Sequence, residues 1–350
     1  MGIHEEGIIV ITIGIFGILG NLVAIPYFGR RIPRQQTFYT LLTCLSICDL
    51  IVVINGLLLY GLPKVSVDYV INLYMPIAPF VFPTFEIGCT GGIYFTMAIS
   101  IERYFVVCRP FWYLAQSVSS KVYTIPIFCF AVIYNIPKFF EITTVRKFVT
   151  SPNISSINLT QSNHSYTVQE EIDNKESEDN TANATWEYVF EPTELRKNTA
   201  YYGVYHIGCE MVFQFIVPLV LLFIANFSIL MELVKNSSTP MECSIGDETN
   251  HVVSMHYSTP QRGQKKQVDR TKVTLLICGI FIFCHLFKWV LNIYELHIRC
   301  SNYGLSEDAI EEIINESEWF GTVVNISNTL VVLNSSINFY VYVLKDVCTR

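Results

Sequence analysis

Seven stretches of this chain are each long and apolar enough to cross a lipid bilayer, and no other feature constrains its fold as strongly. The hydrocarbon core is ~30 Å thick and a helix rises ~1.5 Å per residue, so a span takes about 20 mostly apolar residues. The stretches run approximately 7–29, 38–62, 77–108, 120–141, 200–234, 271–298 and 319–344. The third is long and carries Glu86, and the fourth is short and broken by Pro126 and Pro137. Proline is tolerated in a span where neighbouring helices and Ser or Thr recover the freed carbonyls. Only 15% of residues are charged, against roughly 25% in soluble domains, so the polar surface of a soluble globule is missing. The expected fold is an all-α membrane protein, a seven-transmembrane-helix bundle forming a single domain over 1–350.

Charge orients the bundle. Arg30, Arg31 and Arg34 lie between spans one and two, and Lys265, Lys266 and Arg270 lie just before span six. The opposite side has Lys64 in its first loop and Arg299 in its third. Basic loops stay in the cytoplasm, which puts the N-terminus outside and the C-terminus inside. The long 142–199 loop holds five Lys and Arg, but long loops translocate largely regardless of charge. It also carries glycosylation sequons at Asn153, Asn158, Asn163 and Asn183, and Asn315 begins another in the third outside loop. Such sites are used only on the outside, so 142–199 reads as a long glycosylated extracellular loop. Its Ser162–Glu194 part is too polar to offset its ordering entropy and reads as mobile. The 235–270 segment reads as a cytoplasmic loop, flexible over Asn236–Gln264. The first apolar run is too long for a cleavable signal peptide.

The same numbers exclude several functions. A net charge of −7 argues against a nucleic-acid binder, which must neutralise phosphates. Eleven Cys in 350 residues are too sparse for a small disulfide scaffold. No HExxH, GxSxG, Walker loop or paired CxxC is present, and the seven His are scattered, so no enzyme and no resident cofactor is expected. Gly14, Gly17 and Gly20 sit inside an apolar helix with no preceding strand, which reads as close helix packing rather than a phosphate loop. A seven-span hydrolase needs clustered His and Asp ligands, and a channel or transporter usually shows inverted repeats or matched broken helices; neither pattern is present.

Span three ends in Glu102-Arg103-Tyr104, a potential ion pair at the cytoplasmic mouth. Alone, Arg103 is equally a snorkelling anchor. Span one adds Gly20-Asn21, span two Leu45-Ser46-Ile47-Cys48-Asp49, and span seven Asn334-Ser335-Ser336-Ile337-Asn338-Phe339-Tyr340-Val341-Tyr342. With Pro218, Phe281 and Cys284, these residues resemble, in order and spacing, the markers of rhodopsin-type (class A) G-protein-coupled receptors. Tyr134-Asn135-Ile136-Pro137-Lys138-Phe139-Phe140-Glu141 is similar to invertebrate FMRFamide-type neuropeptide receptors.

The resemblance implies a plasma-membrane receptor that binds an extracellular ligand, here a short amidated peptide, and activates a heterotrimeric G protein. Coupling and activation would fall to Glu102, Arg103, Tyr104, Asn338 and Tyr342. A polar core would form from Asn21, Asp49, Asn334 and Asn338. Related receptors hold a sodium ion at the Asp49 position; Gly92 replaces a usual Ser ligand, so an ion and a plain hydrogen-bonded network both stay open. A receptor for a non-peptide ligand also stays open, although Phe85 stands where amine receptors carry Asp, and span seven lacks a retinal-binding Lys.

The chain departs from the family pattern at several points. Phe339 replaces a Pro in span seven, His285 the usual Trp and Phe287 the usual Pro in span six, and Asn226 a Tyr in span five. Residues 142–208 contain no Cys, so the usual tether to the top of span three cannot form there. Intramembrane acids are costly unless they face protein or water. Glu86 and Glu210 are therefore the leading ligand-binding candidates, with Lys288 a further one; the alternative is that one of the acids simply pairs with Lys288 or His206. An amidated peptide lacks its terminal negative charge, and an Arg in it would suit these acids. Tyr94, Trp289 and Tyr294 would add aromatic contacts, with His285 below and Glu295 and Glu141 at the rim.

Overall fold

The computed structural model describes residues 3–32, 36–115, 119–150, 160–162, 165–167, 184–238, 259–302, 305, 309–310, 313–314 and 317–348. Seven long helices dominate. We label them α1 (Ile3–Gly29), α2 (Gln36–Gly56), α3 (Met75–Cys108), α4 (Lys121–Asn135), α5 (Val217–Ser238, continuing an i→i+5 helix over Tyr202–Ile216), α6 (Thr259–Ser301) and α7 (Glu318–Cys348). Six of them, with their extensions, are long and apolar enough to cross a membrane. The seventh, α7, is less apolar because Asn325, Asn328, Asn334 and Asn338 interrupt its Val, Leu and Ile residues. Two of these asparagines, Asn334 and Asn338, are buried in the bundle rather than facing lipid, and Asn338 meets Asp49 there.

α3 is the central element, in contact with α2, α4, α5 and α6, while α1 packs on α2 and α7. The buried apolar core spreads over these seams, from Phe38, Leu42 and Ile99 near one end to Val70, Met75 and Phe85 near the other. The faces turned away from the bundle are apolar and exposed, as with Phe16, Ile133, Phe223 and Phe283. An apolar surface of this extent suits lipid, not water.

Three local features depart from the sequence expectation. The α6 helix begins at Thr259, inside the stretch read as a flexible loop, because Arg, Lys and Gln are good helix formers once an adjoining span supplies the nucleus. The 142–199 segment is not uniformly unstructured: β1 (Ile142–Thr150) pairs antiparallel with β4 (Ala184–Pro192), and β2 (Thr160–Ser162) with β3 (Ser165–Thr167). The alternating Thr, Val, Phe, Trp and Tyr of both long strands favour this ladder over the polarity of the residues between them. The five sequon asparagines, Asn153, Asn158, Asn163, Asn183 and Asn315, lie outside the described residues.

α4 ends at Asn135, and residues Ile136–Phe140 form a 3-10 turn with Pro137 in its first positions. A 3-10 helix repeats every three residues, so Asn135, Lys138 and Glu141 share one face. All three are buried, at 0%, 3% and 0% exposure, while Phe140 points outward. This turn carries the charges that build the candidate site.

Close helix packing makes Gly17 intolerant of a side chain. A Cβ at Gly17 would lie 2.2 Å from Ser336 Oγ and 2.8 Å from Ser336 Cβ on α7, whereas one at Gly279 meets nothing within 4 Å. Gly17→Ala should cost about 1–3 kcal/mol, the usual range for overpacking, and Gly279→Ala close to nothing. The thermal unfolding midpoints of the two purified variants test this. Equal midpoints would mean α1 and α7 do not meet at Gly17.

Candidate functional site

At the end of the bundle capped by β1 and β4 lies a cavity of about 320 Å³. Its floor holds a string of charges supplied by four helices. Lys138 donates to Glu210 Oε1 on α5 at 2.5 Å and to Glu86 Oε2 on α3 at 3.2 Å. Lys288 on α6 donates to Glu86 Oε1 and Oε2 at 3.2 and 3.4 Å. His206 Nδ1 lies 3.8 Å from Glu210 Oε1, and its Nε2 lies 2.8 Å from Glu141 Oε2. Arg196 reaches Glu141 at 3.6 Å, and Arg299 pairs with Glu295 at 3.1 Å. Among the described residues the cluster thus holds four carboxylates and four Lys or Arg cations. Buried charges persist only when paired this closely, because each loses its hydration.

The residues singled out by sequence divide by position. Glu86, Glu210, Lys288 and Glu295 line the cavity. Tyr94, His285, Trp289 and Tyr294 do not. Tyr94 turns to the α4–α5 seam, its hydroxyl donating to the Phe213 carbonyl at 2.9 Å and its ring 4.8 Å from Phe130. His285 lies deeper, with its ring 4.4 Å from Phe281. Trp289 packs on Phe215 at 4.3 Å, and Tyr294 packs on Trp319 and bonds Ser317. Each is an aromatic at an inward-facing span position, and a bundle uses such residues for helix seams as readily as for a ligand.

Lys138, Arg196, Tyr202 and Arg299 also line the cavity. The polar spacing of three from Asn135 to Glu141, straight after Pro137, is the one sequence signal for Lys138. Tyr202 donates to Glu295, stacks on His206 at 5.0 Å and lies under the Arg299 guanidinium at 3.7 Å. The polarity of the 193–202 stretch gives no sign of these contacts.

Glu141 is a fully buried anchor, not a rim charge. It accepts from Tyr201 at 2.7 Å, and its backbone carbonyl accepts from the Thr193 N–H at 2.9 Å. Thr193 Oγ1 donates to the Phe140 carbonyl at 2.6 Å, and on the other strand Thr144 Oγ1 donates to the Met75 carbonyl at 2.7 Å. The β1–β4 pair is therefore fastened to α3, α4 and α5 without sulfur: Cys209 and Cys300 are free thiols.

Deeper in the bundle, Asn338 donates to Asp49 at 2.9 Å, and Asn21 donates to the Ser335 and Gly17 carbonyls at 2.9 and 3.0 Å. Asp49, Asn334 and Ser335 border a void of about 10 Å³, and Asn334 Oδ1 has no partner among the described residues. A void of that size holds about one water-sized particle.

At the opposite end, Arg103 is 1% exposed and held by Glu102, with Nε to Oε2 at 2.5 Å and Nη2 to Oε1 at 2.7 Å. Tyr113, on the short helix Pro110–Ala115, donates to Glu102 at 2.9 Å. Burial, with Glu102 alongside, pushes the Tyr113 hydroxyl well above the usual tyrosine range, so it stays a donor. The Arg103 guanidinium lies 4.0 Å from the Phe38 ring centre, and Tyr342 meets Phe38 edge-on at 6.3 Å. Tyr104 is half-buried beside Phe105.

The comparisons agree with this architecture. Residues 20–170 match the family described as 7 transmembrane receptor (rhodopsin family). The FMRFamide receptor of Drosophila melanogaster is 25% identical over 346 residues, covering 97% of this chain and 51% of that receptor. The FMRFamide peptide receptor frpr-18 of Caenorhabditis elegans is 23% identical over 341 residues, covering 95% of this chain and 64% of that receptor. A further Caenorhabditis elegans relative, the probable G-protein coupled receptor frpr-1, is 22% identical over 357 residues. The chain spans about half the length of the first relative and under two thirds of the second. It is a multi-pass plasma-membrane protein whose sequence is similar to that of the rhodopsin-type (class A) seven-transmembrane receptors. Within them it resembles the invertebrate FMRFamide receptors, and the family is one of receptors, not enzymes.

The sulfur-free fastening of the strands has a measurable consequence. Mild reduction is expected to leave the thermal midpoint of the purified protein unchanged. Glu141→Leu should lower stability by an amount on the order of 3–5 kcal/mol, as when one partner is removed from a buried ion pair. A midpoint that falls with reductant and ignores Glu141→Leu would show that a covalent bridge holds the strands.

Proposed function

We propose that the chain is a cell-surface receptor for a short amidated neuropeptide and signals through a heterotrimeric G protein. The observation that carries this reading is the 320 Å³ cavity lined by paired charges and overhung by strands, at the end of the bundle opposite Arg103. In this reading the cavity end faces outside with the N-terminus and the Arg103 end faces the cytoplasm. That orientation follows from the basic residues 30–34 and 265–270 and from the sequons at Asn153, Asn158, Asn163, Asn183 and Asn315, which would be glycosylated. The named ligand of the two FMRFamide receptors above supports an amidated peptide for this chain. Paired carboxylates and cations suit a peptide end with both donors and acceptors.

The signal passes by population shift. A ligand that binds one arrangement of α5, α6 and α7 better than another moves the equilibrium toward it. At the far end, Arg103 leaves Glu102 for the G protein and Tyr342 repacks from Phe38. No covalent step is involved. A sodium ion suits the pocket at Asp49: the Asp49 carboxylate and the unpartnered Asn334 Oδ1 offer hard oxygen donors beside Thr96 and Ser335, and the void has about the right size. Asp49 and Asn334 would hold the ion, which would supply a positive charge that offsets the buried carboxylate.

The experiment is a screen of amidated peptides on cells expressing the chain, read by G-protein activation. Activation by one or more peptide amides and not by their free acids is expected; uniform silence at normal surface levels would overturn the reading. Arg103→Ala should abolish that activation while peptide binding persists, with surface receptor counted by an epitope tag. Because Arg103 is buried, Arg103→Lys serves as the milder companion and should lose most of the signal, since Lys cannot make the two-nitrogen contact with Glu102. Full activation by both variants would remove Arg103 from the coupling machinery.

A further inference from the structure

The string Lys288–Glu86–Lys138–Glu210 joins α6, α3, the turn after α4, and α5 in a single layer under the cavity. Its geometry is uneven. Glu86 receives two ammonium groups, from Lys138 at 3.2 Å and Lys288 at 3.2 Å, whereas Glu210 receives one, from Lys138 at 2.5 Å. Among the described residues the next ion-pair contact of Glu210 is with His206, at 3.8 Å. Lys138 is therefore the closest charged tie between α5 and the α3–α4 side, beside the His206–Glu141 pair at 2.8 Å and the Tyr205 hydroxyl donating to the Tyr134 carbonyl at 2.6 Å. The Glu210 side chain is also more open than that of Glu86, at 10% against 6% exposure, and all of these residues border the cavity.

From these facts we propose that Lys138 is the lock of the resting receptor, and that a cationic group of the ligand opens it by taking Glu210. The proposal rests on the reading that a ligand enters this cavity, and it names the chemistry of the recognising contact. Removing Lys138 from Glu210 does not leave its charge stranded, because Glu86 stays within 3.2 Å. A guanidinium is the fitting replacement at Glu210: it is planar, less strongly hydrated than ammonium, and binds a carboxylate through two nitrogens. Once Glu210 is held by the ligand, α5 loses its closest charged tie to the α3–α4 side and keeps the neutral Tyr205–Tyr134 hydrogen bond and the His206–Glu141 contact. The structure shows the locked state at both ends together: the Lys138 bridges are closed while Arg103 is closed on Glu102. Lys138 is a positioning residue in this scheme. It holds helices and does not itself bind the ligand.

Two measurements test it. The first uses no ligand. Lys138→Met is expected to raise ligand-free G-protein signalling per surface receptor by threefold or more, and Lys138→Arg, which keeps a cation between the two acids, to bring it back toward the unmodified level. If Lys138→Met does not reach the surface, the charge-balanced pair Lys138→Met with Glu210→Gln takes its place, with the same rise expected. Unchanged or lower signalling at normal surface levels overturns the lock. The second measurement uses the tetrapeptide Phe-Met-Arg-Phe-NH2 and its citrulline analogue. The Arg peptide should bind Lys138→Met at least tenfold more tightly than the unmodified receptor, with the citrulline analogue unchanged, and Glu210→Gln should erase the difference between the two peptides. Equal gains for both peptides on Lys138→Met, or discrimination that survives Glu210→Gln, overturns the assignment of the ligand's cation to Glu210. Should the unmodified receptor bind neither peptide, the peptide reading fails, and the lock is then decided by the ligand-free arm alone.

Discussion

A charge inside a bilayer has no water to solvate it, so every ionised group there must find its counter-charge within the protein. In this bundle that requirement organises the cavity end. Glu86, Lys138, Glu210 and Lys288 come from α3, the turn after α4, α5 and α6, and no two of them lie on the same element. The pairing therefore fixes how four elements approach one another. Apolar packing alone would leave that arrangement degenerate, because lipid-facing and helix-facing leucines are chemically alike and helix association in membranes gains little from the hydrophobic effect.

The turn at Ile136–Phe140 makes this pairing possible. Pro137 cannot donate a backbone hydrogen bond, so it cannot sit inside α4 at no cost, and the chain tightens into a three-residue repeat instead. That change of period moves Lys138 and Glu141 to the same face as Asn135. Asn135 in turn ties the end of α4 to α3 through Thr90 Oγ1 at 3.0 Å. One backbone irregularity thus places the lysine that joins α3 to α5 and the glutamate that fastens the strands. The family's usual disulfide tether cannot form within 142–208, and hydrogen bonds from Thr193, Tyr201 and Thr144 do comparable positioning.

How much of this was legible follows from which signals are local. Span positions were, because hydropathy over about 20 residues is a local sum; only α7 reads weakly, since its asparagines are directed at Asp49 and at Lys64, which donates to Asn325 at 2.9 Å. Glu86, Glu210 and Lys288 were legible as costly intramembrane charges. Lys138, which pairs with both acids, was not, because a lysine near a span end also suits a snorkelling role, and its inward direction depends on the 3-10 turn. The β1–β4 pairing was hidden by the polar, acidic stretch between its strands. Tyr94, Trp289 and Tyr294 were placed near the right depth, but their rotation about the helix axis was set by neighbours such as Phe130, Phe215 and Trp319.

The same reasoning bears on the altered motifs. A proline in the middle of α7 would break its hydrogen-bond ladder and create a hinge. With Phe339 there, α7 runs from Glu318 to Cys348 as one helix, and Phe339 packs edge-on against Tyr27 of α1 at 6.5 Å. Tyr340 ties to the same helix by donating to the Phe16 carbonyl at 2.9 Å, and Ser336 fits the gap left by Gly17. α7 is thus bound along α1 where a hinge would otherwise lie. Movement at the Arg103 end is then easier for α5 and α6, whose contacts with each other are sparser than those of α1 with α2 and α7. A bundle built this way places its adjustable joints on the α5–α6 side, where Glu210 and Lys288 also stand.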